Sequence, residues 1–187
     1  VAVALYGIVA LFALGAILST GEYIIIVHLI PAYIIAILQV WIFDIRGDSR
    51  HWLPEVLGAT VMSVFAVSIG LASGWTPDRA LMLSIIIIAR AIPTIVYVRA
   101  RLRQIKSNET PSQRPLMLHA IAVIGVTMLS IWGYIPWLTI LALIILLIRA
   151  VYFLQRGAII PAKILGIQEI IFGLLLVSLT AIGYALT

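Results

Sequence analysis

Residues 78–98 read DRALMLSIIIIARAIPTIVYV, an almost unbroken apolar run. A helix needs about 20 mostly apolar residues to cross the hydrocarbon core of a bilayer. The run has that length, and its only charged residues are Asp78 and Arg79 at the start and Arg90 inside. A strand of a membrane barrel would be shorter and would alternate apolar with polar residues. The run therefore predicts a transmembrane helix.

The rest of the chain has the same character. Of the 187 residues, 64% are hydrophobic and 10% are charged, and the mean hydropathy is +1.21. Soluble domains carry roughly 45–50% apolar and about 25% charged residues, so a water-soluble globule is excluded. Six more apolar stretches complete the pattern: 2–19, 22–43, 54–73, 116–133, 137–154 and 164–186. We therefore predict an all-α polytopic transmembrane bundle of about seven spans, with residues 1–187 forming one integral membrane domain.

The distribution of basic residues predicts the orientation. Cytoplasmic loops of membrane proteins are enriched in Lys and Arg. The connections on one side of the predicted bundle hold nine of the twelve basic residues, and those on the other side hold Arg79 alone. We therefore expect the basic loops to be cytoplasmic and Thr187 to lie outside. The nine residues are Arg46, Arg50, Arg99, Arg101, Arg103, Lys106, Arg114, Arg156 and Lys163.

Three ionisable residues stand out inside the predicted spans: Arg90, Arg149 and Glu169. An unpaired charge at mid-depth costs about 2.5–3.5 kcal/mol on insertion scales. The helical rise of about 1.5 Å per residue places Arg149 and Glu169 at a similar depth on consecutive antiparallel spans, so they can reach each other. One interpretation is a structural ion pair, with Arg90 bonded to backbone carbonyls freed by Pro93. The other is a ligand or ion site between the spans.

Further basic residues follow directly after the apolar run 78–98, at Arg99, Arg101 and Arg103, with Lys106 beyond them. Helical spacing places Tyr97 and Arg101 on one face of the helix and Arg99 and Arg103 on another. One interpretation is that Tyr97 lies at the membrane interface while the arginines extend outward as anchors. The other is that the cluster attracts an anionic lipid head group, at about 1 kcal/mol per basic residue.

The sequence lacks the residues that several classes of function require. The chain has no Cys, which removes disulfides, Cys-ligated metal sites and thiol nucleophiles. No complete catalytic motif occurs, and no exposed basic face with base-reading residues favours nucleic acid. His28 and His119 are predicted at depths too different to share one metal or haem iron. Asp44 and Asp48 have the spacing of a carboxylate pair, although Gly47 favours a solvated loop there.

Three motifs carry a resemblance to a known family: WLPEVLGA at 52–59, RAIPTIVYVRARLR at 90–103 and PAKILGIQEIIFGLL at 161–175. In this order they resemble the YwiC-like family of bacterial integral membrane proteins, which is distantly similar to the UbiA prenyltransferases. The resemblance implies a bacterial inner (plasma) membrane protein with a UbiA-like bundle and about two further spans upstream of Val1. It supplies no settled activity.

The resemblance also implies where a prenyltransferase would hold Mg²⁺, namely on two aspartate-rich cytoplasmic motifs. The second motif would fall near residues 97–115, where Glu109 is the only acidic residue, and the first would precede Val1. The chain departs from the pattern, so no catalytic residue and no metal site is assigned.

These observations favour a protein that binds an anionic amphiphile, either a phospholipid or an isoprenoid-like molecule, in a polar cleft on the cytoplasmic side. Its expected partners are membrane lipids. One alternative is a non-catalytic subunit of a respiratory or photosynthetic membrane complex, and a third is a UbiA-type prenyl transferase. The candidate ligand-binding residues are Arg90, Tyr97, Arg99, Arg101, Arg103, Lys106, Arg149 and Glu169.

Overall fold

The structure is a computed structural model, and it describes residues 23–45, 52–107, 113–156 and 160–186, with isolated positions between 12 and 19. Every regular element in these described ranges is helical. Helix α1 (Tyr23–Gln39) continues directly into a π-helical segment, Val40–Asp44. The helices are α1 (Tyr23–Gln39), α2 (Trp52–Ala72), α3 (Pro77–Ser107), α4 (Arg114–Ile131), α5 (Trp137–Arg156) and α6 (Ala162–Ala185).

Five of these helices, α2 to α6, are long and apolar enough to cross a membrane. They correspond to the last five predicted spans. The first predicted stretch, 2–19, lies largely outside the described residues. Helix α1 and its π-helical continuation together contain the shorter apolar segment Leu29–Phe43. The all-helical fold is therefore confirmed for the described part of the chain, whereas the count of about seven spans is not.

Helix α3 extends further than its apolar run predicts. The run ends at Val98, but the helix continues to Ser107 through residues expected to begin a polar loop. Arg, Leu, Gln and Lys all form helices readily, and no Gly or Pro interrupts the chain before Pro111. The 31 residues of α3 span roughly 46 Å, which exceeds the bilayer core by about 15 Å. The arginine-rich end of α3 is thus a rigid extension of a span.

Tight turns make neighbouring helices antiparallel. Gly74 and Gly133 adopt φ values of 80° and 79°, a left-handed conformation that favours glycine. After each glycine the next backbone N–H returns to a carbonyl of the preceding helix, from Trp75 to Gly70 and from Tyr134 to Leu129, at 3.0 Å in both cases. This is the usual glycine termination of a helix. Successive helices consequently pack on each other, and α3 also contacts α5.

The core of the described bundle lies between α3, α4, α5 and α6. One cluster is purely aliphatic and includes Ile86, Val126, Leu146 and Leu176. A second cluster surrounds Tyr97 and lies towards the arginine-rich end of α3; it includes Ala150, Leu154 and Leu165. The polar side chains of the candidate site lie beside this second cluster.

Candidate functional site

One face of α3 carries the polar residues that point into the bundle. Arg90, Thr94, Tyr97 and Arg101 are spaced at four, three and four residues, so they form one stripe. Tyr97 and Arg101 have no exposed surface, and Thr94 is also buried. The sequence interpretation of Tyr97 and Arg101 as outward-facing interface anchors is therefore wrong. Helices α4, α5 and α6 cover this face.

Arg149 on α5 and Glu169 on α6 form the ion pair that the sequence predicts. Arg149 Nη1 donates to Glu169 Oε1 at 2.6 Å. The side chain of Arg149 is 2% exposed and that of Glu169 is 16% exposed. The guanidinium carbon also lies 4.4 Å from the centre of the Tyr97 ring and 4.7 Å from that of Phe172. Two aromatic faces and one carboxylate thus hold a buried cation in place.

Arg90 reaches the same place from α3. Its Nη2 donates to the backbone carbonyl of Glu169 at 3.0 Å. The expectation that Arg90 would bond to carbonyls freed by Pro93 on its own helix is wrong, because its side chain crosses to α6. Gly173 makes this possible, since a Cβ added there would lie only 2.9 Å from Arg90 Nη2. Glu169 therefore binds both arginines, one through its side chain and one through its backbone.

His119 on α4 also belongs to the site, although the sequence interpretation considers it only as a metal ligand. Its ring stands edge-on to Tyr97, with centroids 6.2 Å apart. Nδ1 lies 2.7 Å from the carbonyl of Pro115, and since a carbonyl only accepts, Nδ1 carries the proton and donates it. The opposite nitrogen, Nε2, is buried without a hydrogen-bond partner. The sequence carried no specific signal for this role, because every helical residue has a backbone carbonyl four positions earlier.

Several other polar atoms in this part of the described structure are buried without a hydrogen-bond partner. A buried donor or acceptor that lacks a partner costs about 1–3 kcal/mol. The chain therefore concentrates unsatisfied hydrogen-bonding capacity at one place, where water or a ligand can use it. These atoms include Arg90 Nε, Thr94 Oγ1, Arg149 Nε and Nη2, Gln168 Oε1 and Glu169 Oε2.

The arginine-rich end of α3 does not form the single cluster that the sequence predicts. Arg99 binds Glu55 of α2 through two bonds, from Nε to Oε2 at 2.9 Å and from Nη2 to Oε1 at 2.7 Å. Arg103 and Lys106 are exposed. Arg101 alone lies inside, where its Nη1 donates to Gln104 at 2.6 Å.

Gln104 explains why Arg101 is enclosed. Its side-chain amide donates to the carbonyl of Leu154 on α5 at 3.2 Å, which ties the extension of α3 to the end of α5. The structure thus gives separate surroundings to Arg99, Arg101 and Arg103, which the sequence interpretation groups at one head group. Arg101 belongs to the buried group, Arg99 braces α3 against α2, and Arg103 and Lys106 remain at the surface.

Metal ligands are not grouped in the described structure, where no three His, Asp or Glu side chains are placed to hold an ion. The predicted carboxylate pair of Asp44 and Asp48, and the histidines His28 and His51, fall outside the described side chains. The group is instead cationic, because Arg90 and Arg149 both bind one acidic residue, Glu169, and Arg101 is buried on the same face of α3. Arginine forks match the paired oxygens of phosphates and carboxylates.

Over the described residues, the structure thus defines an all-helical fold with five helices that can cross a membrane and an arginine site between four of them. No protein-family model, curated protein sequence or solved structure matches the chain.

Proposed function

We propose that this protein binds an anionic amphiphile, with the anionic group held in the buried arginine site between α3, α4, α5 and α6. One observation carries the proposal. Arg149 is almost completely buried, yet Glu169 accepts a hydrogen bond from only one of its nitrogens. The other two nitrogens, Nε and Nη2, have no hydrogen-bond partner. An incompletely bonded buried cation is expensive in a membrane, and anionic oxygens would satisfy it.

Each helix has a part in this proposal. Arg90 and Arg149 bind the anionic group, and Glu169 orients both of them through the two bonds described above. Tyr97 provides the aromatic wall on which the Arg149 guanidinium rests. His119 offers a hydrogen-bond acceptor at Nε2, which suits a ligand that also carries a hydroxyl or a protonated phosphate oxygen. Arg103 and Lys106 raise the local concentration of anionic head groups at the membrane surface.

The setting is part of the same proposal. The arginine-rich end of α3 faces the cytoplasm, the end of α6 lies outside, and the membrane is the bacterial plasma membrane. Charge asymmetry between the loops supports this orientation. The motifs at 52–59, 90–103 and 161–175 support membership of the YwiC-like family, with about seven spans in this chain. Their resemblance to the UbiA prenyltransferases supports an isoprenoid-like ligand as an alternative to a phospholipid.

Lipid retention tests the proposal directly. The protein is purified from membranes that contain phosphatidylglycerol and phosphatidylethanolamine, and co-purifying lipid is measured by native mass spectrometry. The variant Arg149→Met with Glu169→Gln removes the ion pair without leaving a buried Arg149 cation, and Arg90 keeps its bond to the backbone carbonyl of residue 169. We expect it to lose retained anionic lipid while keeping the zwitterionic lipid.

Arg156→Met is the matched control, because Arg156 lies at the surface of the same helix and stacks on Tyr152 with its guanidinium carbon 4.4 Å from the ring centre. It should retain lipid as the unmodified protein does. Equal retention of anionic lipid by the neutral-pair variant and the unmodified protein would refute the proposal.

A further inference from the structure

A cavity of about 440 Å³ lies at the end of the bundle opposite to the arginine-rich end of α3. We call it the distal cavity. The start of α3, the turn between α4 and α5 and the end of α6 line it, and its charged residues are Asp78 and Arg79. Thr76 and Ser130 add hydroxyl groups. Small-molecule pockets commonly measure about 300–1,000 Å³, so the distal cavity has room for a polar group that meets charges of both signs.

Arg79 is fixed at the wall of the distal cavity by contacts that use only part of its guanidinium. Nη2 donates to the backbone carbonyl of Tyr184 at 3.0 Å, one of the last carbonyls of α6, which the helix itself leaves without a partner. Cζ lies 4.6 Å from the centre of the Trp75 ring and 4.9 Å from that of Tyr184. Because a guanidinium carries five N–H donors, donors remain for a further acceptor.

Two more groups of the distal cavity have hydrogen-bonding capacity to spare. Asp78 is exposed, and it lines the same cavity as Arg79. The two ion pairs formed by the described residues do not include Asp78, so its carboxylate is available to a cation. The hydroxyl group of Tyr184 is buried without a hydrogen-bond partner. The cavity therefore presents a guanidinium and a phenol for an anion and a carboxylate for a cation.

An apolar cavity of about 520 Å³ lies between α3 and α6 and shares two residues with the distal cavity. Arg79 and Tyr184 line both cavities. The other residues of the apolar cavity are mostly hydrophobic and include Leu83, Ile87 and Val177. An apolar space thus begins at the same two side chains that bound the polar one.

Aromatic residues indicate that the distal cavity lies at the level of lipid head groups. Tyr134 and Trp137 line it and are 50% and 65% exposed. Trp and Tyr are enriched where the bilayer meets water, because their rings are apolar at one end and polar at the other. A polar cavity at that level, with an apolar cavity beside it, suits the head of a membrane lipid better than a solute that arrives from water.

We propose that the distal cavity binds a zwitterionic phospholipid head group, with the phosphate on Arg79 and the ammonium on Asp78. The phosphate oxygens accept from the guanidinium and from the Tyr184 hydroxyl, and the ammonium donates to the carboxylate. An anionic head group without an ammonium would bring a second negative charge to Asp78. Phosphatidylethanolamine has the required pair of groups. This site is separate from the buried arginine site and does not rest on the proposed function.

Titration of the full-length chain with phosphatidylethanolamine, followed by native mass spectrometry, tests the proposal. Asp78→Asn keeps the size of the side chain and removes its charge, so the Kd of phosphatidylethanolamine should rise about tenfold. Phosphatidylglycerol has the same phosphate but no ammonium, and its Kd should not rise. Glu55→Gln is the matched control, because Glu55 is also an exposed acid in the first turn of a helix, at the other end of the bundle. It should leave the Kd of phosphatidylethanolamine unchanged.

Arg79→Lys tests the other half of the head group. It keeps the positive charge but replaces the planar fork with a single nitrogen, so the Kd of phosphatidylethanolamine should rise about fivefold. The Arg149→Met, Glu169→Gln variant should bind this lipid as the unmodified protein does.

Unchanged affinity for phosphatidylethanolamine in Asp78→Asn, or an equal rise of its Kd in Glu55→Gln, would overturn the proposal. An equal rise for phosphatidylglycerol in Asp78→Asn would do the same, since it would mean that Asp78 does not recognise the ammonium. Loss of phosphatidylethanolamine in the Arg149→Met, Glu169→Gln variant would show that the two sites are not separate. Soluble glycerophosphoethanolamine that competes at the concentration of the lipid would replace the lipid with a free zwitterion as the ligand.

Discussion

Glu169→Gln isolates the electrostatic part of the buried pair. The substitution keeps the size of the side chain and an oxygen that can accept from Arg149 Nη1, and it leaves the backbone carbonyl that binds Arg90 in place. It removes only the negative charge. Arg149 then remains buried at 2% exposure beside a neutral partner.

The expected cost follows from that burial. Removing one partner of a buried ion pair typically costs about 3–5 kcal/mol, because the remaining charge lies in a low-dielectric environment. Glu169 is 16% exposed and glutamine still accepts one hydrogen bond, so we expect the lower end, about 3 kcal/mol. For a chain of this size each kcal/mol lowers the melting temperature by about 2–4 °C. The melting temperature should therefore fall by roughly 6–12 °C.

The same substitution at an exposed pair provides the control. Glu55 binds Arg99 at 2.7 Å, but its side chain is 48% exposed. Exposed pairs contribute about 0–1 kcal/mol, so Glu55→Gln should shift the melting temperature by a few degrees at most. Both variants can be followed by intrinsic tryptophan fluorescence during heating in one detergent, since the chain contains five Trp residues.

The single variant Arg149→Met and the double variant Arg149→Met, Glu169→Gln complete a double-mutant cycle with Glu169→Gln. The double variant no longer buries the Arg149 charge, and only Arg90 remains there, so it should recover more than half of the stability lost by Glu169→Gln. A deficit in the double variant equal to the sum of the two single deficits would show that the residues do not interact. An equal loss from Glu169→Gln and Glu55→Gln would refute the argument from burial.

Other substitutions test further parts of the structure. In the cysteine-free chain, Lys106→Cys should react with an impermeant thiol reagent only after cell lysis, whereas Asp78→Cys should react in intact cells. The reverse pattern would show that the orientation is the opposite one. Gly173→Ala should lower the free energy of unfolding by about 1–3 kcal/mol, because the new Cβ meets the Arg90 guanidinium. Its control, Gly166→Ala, should be neutral or stabilising in thermal unfolding, because a Cβ there meets no atom within 4 Å. Arg101→Lys should lower the melting temperature because its guanidinium is buried and bonded to a side chain of α3, whereas Lys106→Arg, at the surface, should not.

The sequence predicts what depends on one helix at a time. Span length and apolar content locate α2 to α6, because lipid demands a continuous apolar helix wherever the chain crosses. Depth along a helix follows from the rise per residue, and for this reason the pairing of Arg149 with Glu169 on consecutive helices could be predicted. Both inferences use distances measured along the chain.

The rotation of each helix about its own axis follows from how several helices pack together, so residue spacing alone leaves it open. Spacing places Tyr97 and Arg101 on one face of α3 but does not say whether that face looks outward or inward. The answer depends on α4, which brings His119 against Tyr97, and on α5, whose Leu154 carbonyl receives Gln104. The partner of Arg90 could not be foreseen for the same reason, since the space for its side chain exists only where Gly173 of α6 faces α3.

The incomplete hydrogen bonding of the buried arginines supports the proposed ligand over a purely structural network. A structural network is stable when every buried donor has an acceptor, and a partly satisfied one costs more than an apolar core. Here Glu169 gives one carboxylate oxygen to Arg149 and one backbone oxygen to Arg90, while its second carboxylate oxygen has no partner. Two arginines thus share a single acidic residue that satisfies neither completely. An anionic group of several oxygens, held between α3 and α5, would supply the acceptors that these helices do not.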